Sequence, residues 1–143
     1  MKRTIAIVGG GDTSEFQVSL RSAQGIYSFI DKEKYIRYIV EMHGLDWHVQ
    51  LPDGRQLPVD RNDFSFELDG NKVTFDFVYI TIHGTPGEDG RLQGYLDMLG
   101  IPYSCCGVLA ASLTYDKFAC NQYLKSFGVR IADSLLLRSG QSI

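Results

Sequence analysis

His83-Gly84-Thr85-Pro86-Gly87-Glu88-Asp89-Gly90-Arg91-Leu92-Gln93-Gly94 (HGTPGEDGRLQG) stands between an unbroken apolar run, Phe77-Val78-Tyr79-Ile80-Thr81-Ile82, and an amphipathic segment ending at Met98-Leu99. The order reads as a buried strand, a loop and a helix, with a histidine where the strand runs out. Gly84, Gly87 and Gly90 free the backbone to take positive φ three times over a short span. Pro86 pushes Thr85 toward an extended conformation. Such a loop is shaped to bring main-chain N–H groups and a few side chains close to a ligand. Glu88 and Asp89 fall at the helix start, where the dipole favours negative charge and where Asp89 can cap.

Upstream, Thr4-Ile5-Ala6-Ile7-Val8 is a short apolar run stopped by Gly9-Gly10-Gly11, a buried strand entering a tight turn. Asp12, Thr13 and Ser14 offer helix caps, and Ser14 with Gln17 fits a capping box. Phe16, Leu20, Ala23, Tyr27 and Ile30 then recur at helical spacing. Tyr35 to Val40 is rich in β-formers, so strand, helix and strand make one βαβ crossover. Residues 44 to 76 alternate in period two around Pro52-Asp53-Gly54 and Asp69-Gly70, which predicts antiparallel hairpins inserted beside the parallel sheet. No chemistry is expected there.

Downstream, Ile101-Pro102-Tyr103 reads as a short strand and Val108 to Leu113 as a brief helix. Thr114 is expected to cap a further helix, Tyr115 to Phe127, in which Cys120, Tyr123, Leu124 and Phe127 share a face and which Gly128 ends. Val129 to Leu137 reads as a strand with nothing to pair with, so the ending looks like a cut through a larger protein. The fold class expected is α/β: a parallel sheet with helices on both faces and an antiparallel hairpin insertion.

The 143 residues suffice for one domain with a core of its own. Apolar residues make up 44% and charged residues 22%, a globular balance, and no apolar run approaches the ~18 residues of a membrane span. Met1-Lys2-Arg3 leads straight into the first strand, so no signal peptide is expected. A net charge of −3 gives no footprint for nucleic acid. Cys105, Cys106 and Cys120 are odd in number and lack C-x-x-C spacing, which favours a reducing cytoplasm over disulfides or zinc. His43, His48 and the cysteines have no metal-ligand spacing and read as structural.

In an open parallel sheet, ligands bind beyond the carboxyl ends of the strands. Two loops leave such ends, Gly9 to Glu15 and His83 to Gly90. Glu15 and His83 are therefore expected on one edge, where they could face one pocket. A carboxylate beside an imidazole suits a substrate with an ammonium group and a reacting carboxylate. Glu15 would hold the ammonium, and His83 with loop N–H groups, Gly84 among the binding residues, would meet the negative charge. Each also has a structural reading: Glu15 as a first-turn acid, His83 as the partner of a backbone carbonyl, Lys117 as a solvated helix residue. Gly9-x-Gly11 resembles part of a dinucleotide fingerprint but lacks its third glycine.

These motifs together resemble the D-alanine–D-alanine ligase family of ATP-grasp enzymes. HGTPGEDGRLQG is similar to the family's H-G-x-x-G-E-D-G-x-L-Q-G at every specified position. Gly9-Gly10 with Ser14-Glu15-Phe16-Gln17-Val18-Ser19-Leu20 resembles its glycine pair and S/A-E-x-x-V-S-L. Ile101-Pro102-Tyr103, Gly107 to Leu113 and Asp116-Lys117 resemble its I-P-Y-T-G-x-G-V-L-A-S-A-L-x-M-D-K. Gly11-Asp12, Cys105-Cys106 and Tyr115 depart from the pattern.

The resemblance implies a Rossmann-like, pre-ATP-grasp sheet. Residues 1–113 would form the N-terminal substrate domain and 114–143 the start of a truncated ATP-grasp domain. It implies that Glu15 orients the first D-alanine through its amino group, that His83 lies near that substrate's carboxylate and that Val18 walls the pocket. Lys117 would reach ATP phosphates. The implied reaction passes through an acyl phosphate to a D-alanyl-D-alanine bond for peptidoglycan precursors, with Mg2+ ligands and most ATP donors beyond Ile143. The fragment alone is expected to be silent. A homodimer, a sister ligase for D-lactate or D-serine, and a non-catalytic binding module are the further expectations and alternatives.

Overall fold

A computed structural model describes residues 2–141. The crossover read from the N-terminus forms as β1 (Arg3–Gly10), α1 (Phe16–Phe29) and β2 (Tyr35–His43). The hairpin region supplies β3 (Asp46–Gln50), β4 (Gln56–Asp60), β5 (Ser65–Leu68) and β6 (Asn71–Val73). The run before the glycine loop is β7 (Phe77–Ile80). The sheet order is β6-β5-β4-β3-β2-β1-β7, with β1 parallel to both β2 and β7 and the remaining pairs antiparallel.

From Ile5 onward β1 is apolar and buried because both its faces are covered. Ile5 and Ile7 pack with Ala23 and Ile26 of α1 and with Ile30 at its C-cap. Ala6 and Val8 belong to the opposite cluster, with Leu92 and Leu96 of α2 (Arg91–Leu99). Fully burying a side chain such as Ile7 or Leu96 stabilises by about 1.5–3 kcal/mol. The same arithmetic explains Phe64, which sits at φ 55 just before β5. Its left-handed backbone costs about 1–2 kcal/mol. Complete burial against the rings of Trp47, Phe75 and Tyr95 offsets that.

The expected antiparallel hairpins extend the sheet directly, since β3 pairs with β2. Four local expectations change. Ile101-Pro102-Tyr103 makes one bridge, Tyr103 to Val78, because Pro102 has no N–H to give a ladder. Ser14 forms no capping box, since Glu15 occupies the N-cap position of α1 without a side-chain cap bond. Thr114 lies inside α3 (Val108–Tyr115), donating to the Ala110 carbonyl, and Asp116 caps α4 (Lys117–Ser126) by accepting from the Ala119 N–H at 2.9 Å. A boundary between residues 113 and 114 therefore cuts a helix. Val129 to Leu137 forms no strand, for want of a partner edge.

Candidate functional site

β1 and β7 run parallel and side by side, so the loops that leave their carboxyl ends emerge together. Three ties lock them. The Thr13 hydroxyl donates to the His83 carbonyl (3.0 Å) and accepts from the Glu15 N–H (3.3 Å). The Asp12 N–H donates to the Thr85 carbonyl (3.0 Å). Buried Ser19 accepts from the Gly10 N–H and donates to the Thr81 carbonyl, both at 2.9 Å, pinning α1 to the ends of both strands. One hydroxyl thus separates the Glu15 backbone from that of His83.

The glycine turn of the first loop commits its N–H groups within the fold. Gly10, Gly11 and Asp12 donate to Ser19, Met42 and Thr85 respectively. Gly9 serves packing instead: a Cβ there would lie 2.9 Å from Ala23 Cβ, so its absence lets α1 settle on β1. The dinucleotide reading of these glycines is not what the geometry supports.

The second loop closes on itself. Gly84 and Glu88 exchange two bonds of 2.8 Å, the Gly84 N–H to Glu88 Oε2 and the Glu88 N–H to the Gly84 carbonyl. Gly84 thus has its donor committed to Glu88 rather than facing a ligand. Gly84 and Gly90 do take positive φ, at 77° and 90°. Gly87 does not; it is required because a Cβ would lie 2.6 Å from Ile82 Cβ and 2.7 Å from the Ile82 carbonyl. Asp89 does work at the helix start, accepting from the Arg91 N–H (3.2 Å) while its other oxygen takes the Thr85 hydroxyl. Gln93 is buried and holds the loop from within, its Nε2 donating to the Gly87 carbonyl at 2.6 Å and to Cys105 Sγ at 3.2 Å.

Two hollows flank this loop. His83 lines one of about 360 Å3 with Ser22 and Ile26 of α1 and with Gly87, Glu88 and Cys105. Lys117 lines the other, about 380 Å3, with Gln93 and Cys106. Gly87, Glu88 and Cys105 form the wall between them. Glu15 and Val18 line neither hollow. They stand exposed on the stripe of α1 that Ser22 and Ile26 continue, spaced by three and four residues. The structure therefore unites the two loops and places Lys117 across the wall from His83, with the Glu15 side chain at the open end of the helix.

Burial pushes the Cys105 thiol up from its ordinary value. Tyr103 is pushed up to about 12 by burial and by its hydrogen bond to Asp97. Among the described residues no cluster of three or more His, Cys, Asp or Glu is arranged to hold a metal ion, and no helix is long and apolar enough to cross a membrane. His43 packs edge-on against Phe16 at the end of β2. Between the linings of the two hollows, Lys117 supplies the ammonium.

Sequence reasoning took Thr13 only as a helix cap, and Gln93 and Ser19 only as letters of motifs. Polar residues at an apolar helix face or just past a strand end were the available signal, since buried polar groups need partners.

A mixed sheet whose adjacent parallel strand ends carry a helix-start acid and a glycine-loop histidine defines an α/β domain with a candidate small-molecule site at that edge. The comparisons make that particular: residues 4–106 match the family described as D-ala D-ala ligase N-terminus, and the chain belongs to that family. It is 80% identical over 143 residues to the D-alanine–D-alanine ligase of Bacteroides thetaiotaomicron, covering all of this chain and 44% of that one. It is 50% identical over 136 residues to the ligase of Porphyromonas gingivalis, covering 95% of this chain and 41% of that one. The crystal structure of the Aeromonas hydrophila D-alanine–D-alanine ligase superposes with a TM-score of 0.83 at 28% identity, over 99% of this chain and 52% of that one. The Bacillus anthracis ligase, solved in complex with ATP, superposes at 0.73 and 25% identity, over 99% and 42%. The chain spans less than half the length of the curated relatives it matches.

Proposed function

We propose that this chain forms the first-amino-acid half of a ligase that uses ATP to join two D-alanines through an acyl phosphate, for peptidoglycan precursors in the bacterial cytoplasm. The observation that carries the reading is the Thr13 hydroxyl, which ties the loop bearing Glu15 to the carbonyl of His83. Glu15 holds the ammonium of the first D-alanine by charge and hydrogen bonding. His83 donates toward its carboxylate and keeps that group turned to the reacting side. Val18, a turn further along the same stripe, limits the side chain to a methyl. Gly84 shapes the loop behind His83.

Lys117, across the Glu88 wall, reaches toward the phosphates of ATP. Magnesium is held by residues of the longer ligase, so the chain alone does not turn over. We place the break between the substrate domain and the ATP-grasp domain at Asp116, between α3 and α4, rather than at residue 113. Exposed Leu109 and Tyr123 on these helices, with Phe127 at the C-cap of α4, support pairing of two copies. The test is ATP-dependent phosphate release by the whole ligase. Release with D-alanine as the only amino acid is expected. Release that requires D-lactate or D-serine, or turnover by residues 1–143 alone, would contradict the reading.

A further inference from the structure

We infer that the adjacent pair Cys105–Cys106 is a thiol–disulfide exchange site that takes one small, carboxylate-bearing aminothiol as a mixed disulfide. Both thiols are free and exposed. Both line the Lys117 hollow, and Cys105 also forms part of the wall it shares with the His83 hollow. The cavity carries recognition groups for more than a bare sulfur. Gln93 is buried almost completely, and its Oε1 has no hydrogen-bond partner among the described residues. A buried acceptor left unpaired costs about 1–3 kcal/mol, so the hollow favours an occupant that brings an N–H. Lys117 on the same lining favours one that brings a carboxylate. An aminothiol such as glutathione or cysteine has both.

The roles of the two sulfurs differ. Cys105 Sγ already accepts from Gln93 Nε2, which ties that sulfur to the loop, and burial outweighs the bond in pushing its thiol up. Cys106 carries no such bond among the described residues, so it is the attacking group. Its thiol gives a proton to solvent, and the thiolate attacks one sulfur of a small disulfide, RS–SR. The S–S bond breaks, RS– leaves with the electron pair and takes a proton from water. One protein S–H and one disulfide become one mixed disulfide and one free thiol, with no other oxidant. The attached group then fills about 380 Å3 beside Lys117 and presses on the Cys105 wall of the His83 hollow.

The functional consequence rests on the ligase reading, but the site itself does not. Trypsin separates the thiols, Cys105 and Cys106 on the peptide 92–117 and Cys120 on 118–125. The whole ligase is treated in parallel with glutathione disulfide and with uncharged 2-hydroxyethyl disulfide, quenched in acid and mapped by mass spectrometry. Cys120 serves as the internal reference. The ratio of adduct on 92–117 to adduct on Cys120 is expected to be roughly fivefold higher with glutathione disulfide, the size of one favourable exposed ion pair. Cys106→Ser should abolish that preference. Equal ratios for the two reagents, or adduct confined to Cys120, would overturn the inference. Phosphate release is followed in the same samples and should fall with the adduct and return on reduction. An enzyme with no D-alanine turnover before treatment would refute the function and leave the adduct result standing. Full turnover in the modified enzyme would refute the blocking effect.

Discussion

Gly87→Ala tests the loop at its tightest point. The new methyl would stand 2.6 Å from Ile82 Cβ, 2.7 Å from the Ile82 carbonyl and 2.9 Å from Ile82 Cγ2. Ile82 is 4% exposed and its carbonyl is main chain, so no flexible side chain can swing away. The φ of Gly87 is not in the left-handed region, so the whole cost arises from overlap. Forcing a methyl into a packed site costs about 1–3 kcal/mol, and a backbone contact belongs at the upper end. At about 3–4 °C per kcal/mol for a domain of this size, Tm should fall by roughly 6–10 °C. Gly25→Ala is the matched control. A Cβ there meets nothing within 4 Å, and the site is the interior of α1. That change should stabilise by about 0.5–1 kcal/mol through helix propensity and a stiffer unfolded chain. Scanning calorimetry on both variants decides. Equal Tm values for Gly87→Ala and the parent would refute the packing argument for this loop.

Ser19→Ala should destabilise by about 2–3 kcal/mol, because it leaves the buried Gly10 N–H and the Thr81 carbonyl unpaired at once; urea unfolding measures it. Alkaline stability provides another check. Tyr95 is pushed up to about 12 by burial first and by Asp63 and Asp60 next, against an ordinary value of 10.0. Between those values the folded chain holds the proton that the unfolded chain has lost. The Tyr95 contribution is therefore fully present below pH 10 and lost as the pH climbs through 12. Tyr95→Phe should flatten that part of the stability–pH curve, and an unchanged slope would count against the burial.

The parts legible in the sequence are those that local pattern controls. Thr4–Val8, the helical spacing from Phe16 to Ile30 and the run before His83 each carry enough apolar residues to declare an element and its buried face. Sheet order was less accessible. Period-two alternation around Asp53-Gly54 and Asp69-Gly70 says which side chains face inward, but not that β3 pairs with β2. Thr114 and Asp116 are both competent caps. The choice depends on where the backbone leaves the helix, and Asp116 is extended at ψ 99°. Val129 to Leu137 has strand composition, but a strand exists only with an edge to bond.

The site divides in the same way. The spelling of the loop advertised His83, and position at the helix start advertised Glu15. Their tie through Thr13 spans 70 residues, and the Ser19 bond to Thr81 spans 62. Nothing in the local sequence announces partners that far apart. Gly87 was read as a φ > 0 residue, whereas its Cβ-sized gap is filled by Ile82, a neighbour that only the folded loop reveals.

Glu15→Gln in the complete ligase, titrated separately with D-alanine and with ATP, tests most directly whether the opening-turn acid and the loop histidine share one amino acid. Loss of one charge-assisted bond to the ammonium is worth about 1.5–3 kcal/mol, so affinity for the first D-alanine should drop roughly 10- to 100-fold while that for ATP stays within about twofold. Equal weakening of both ligands, or of neither, would contradict the account.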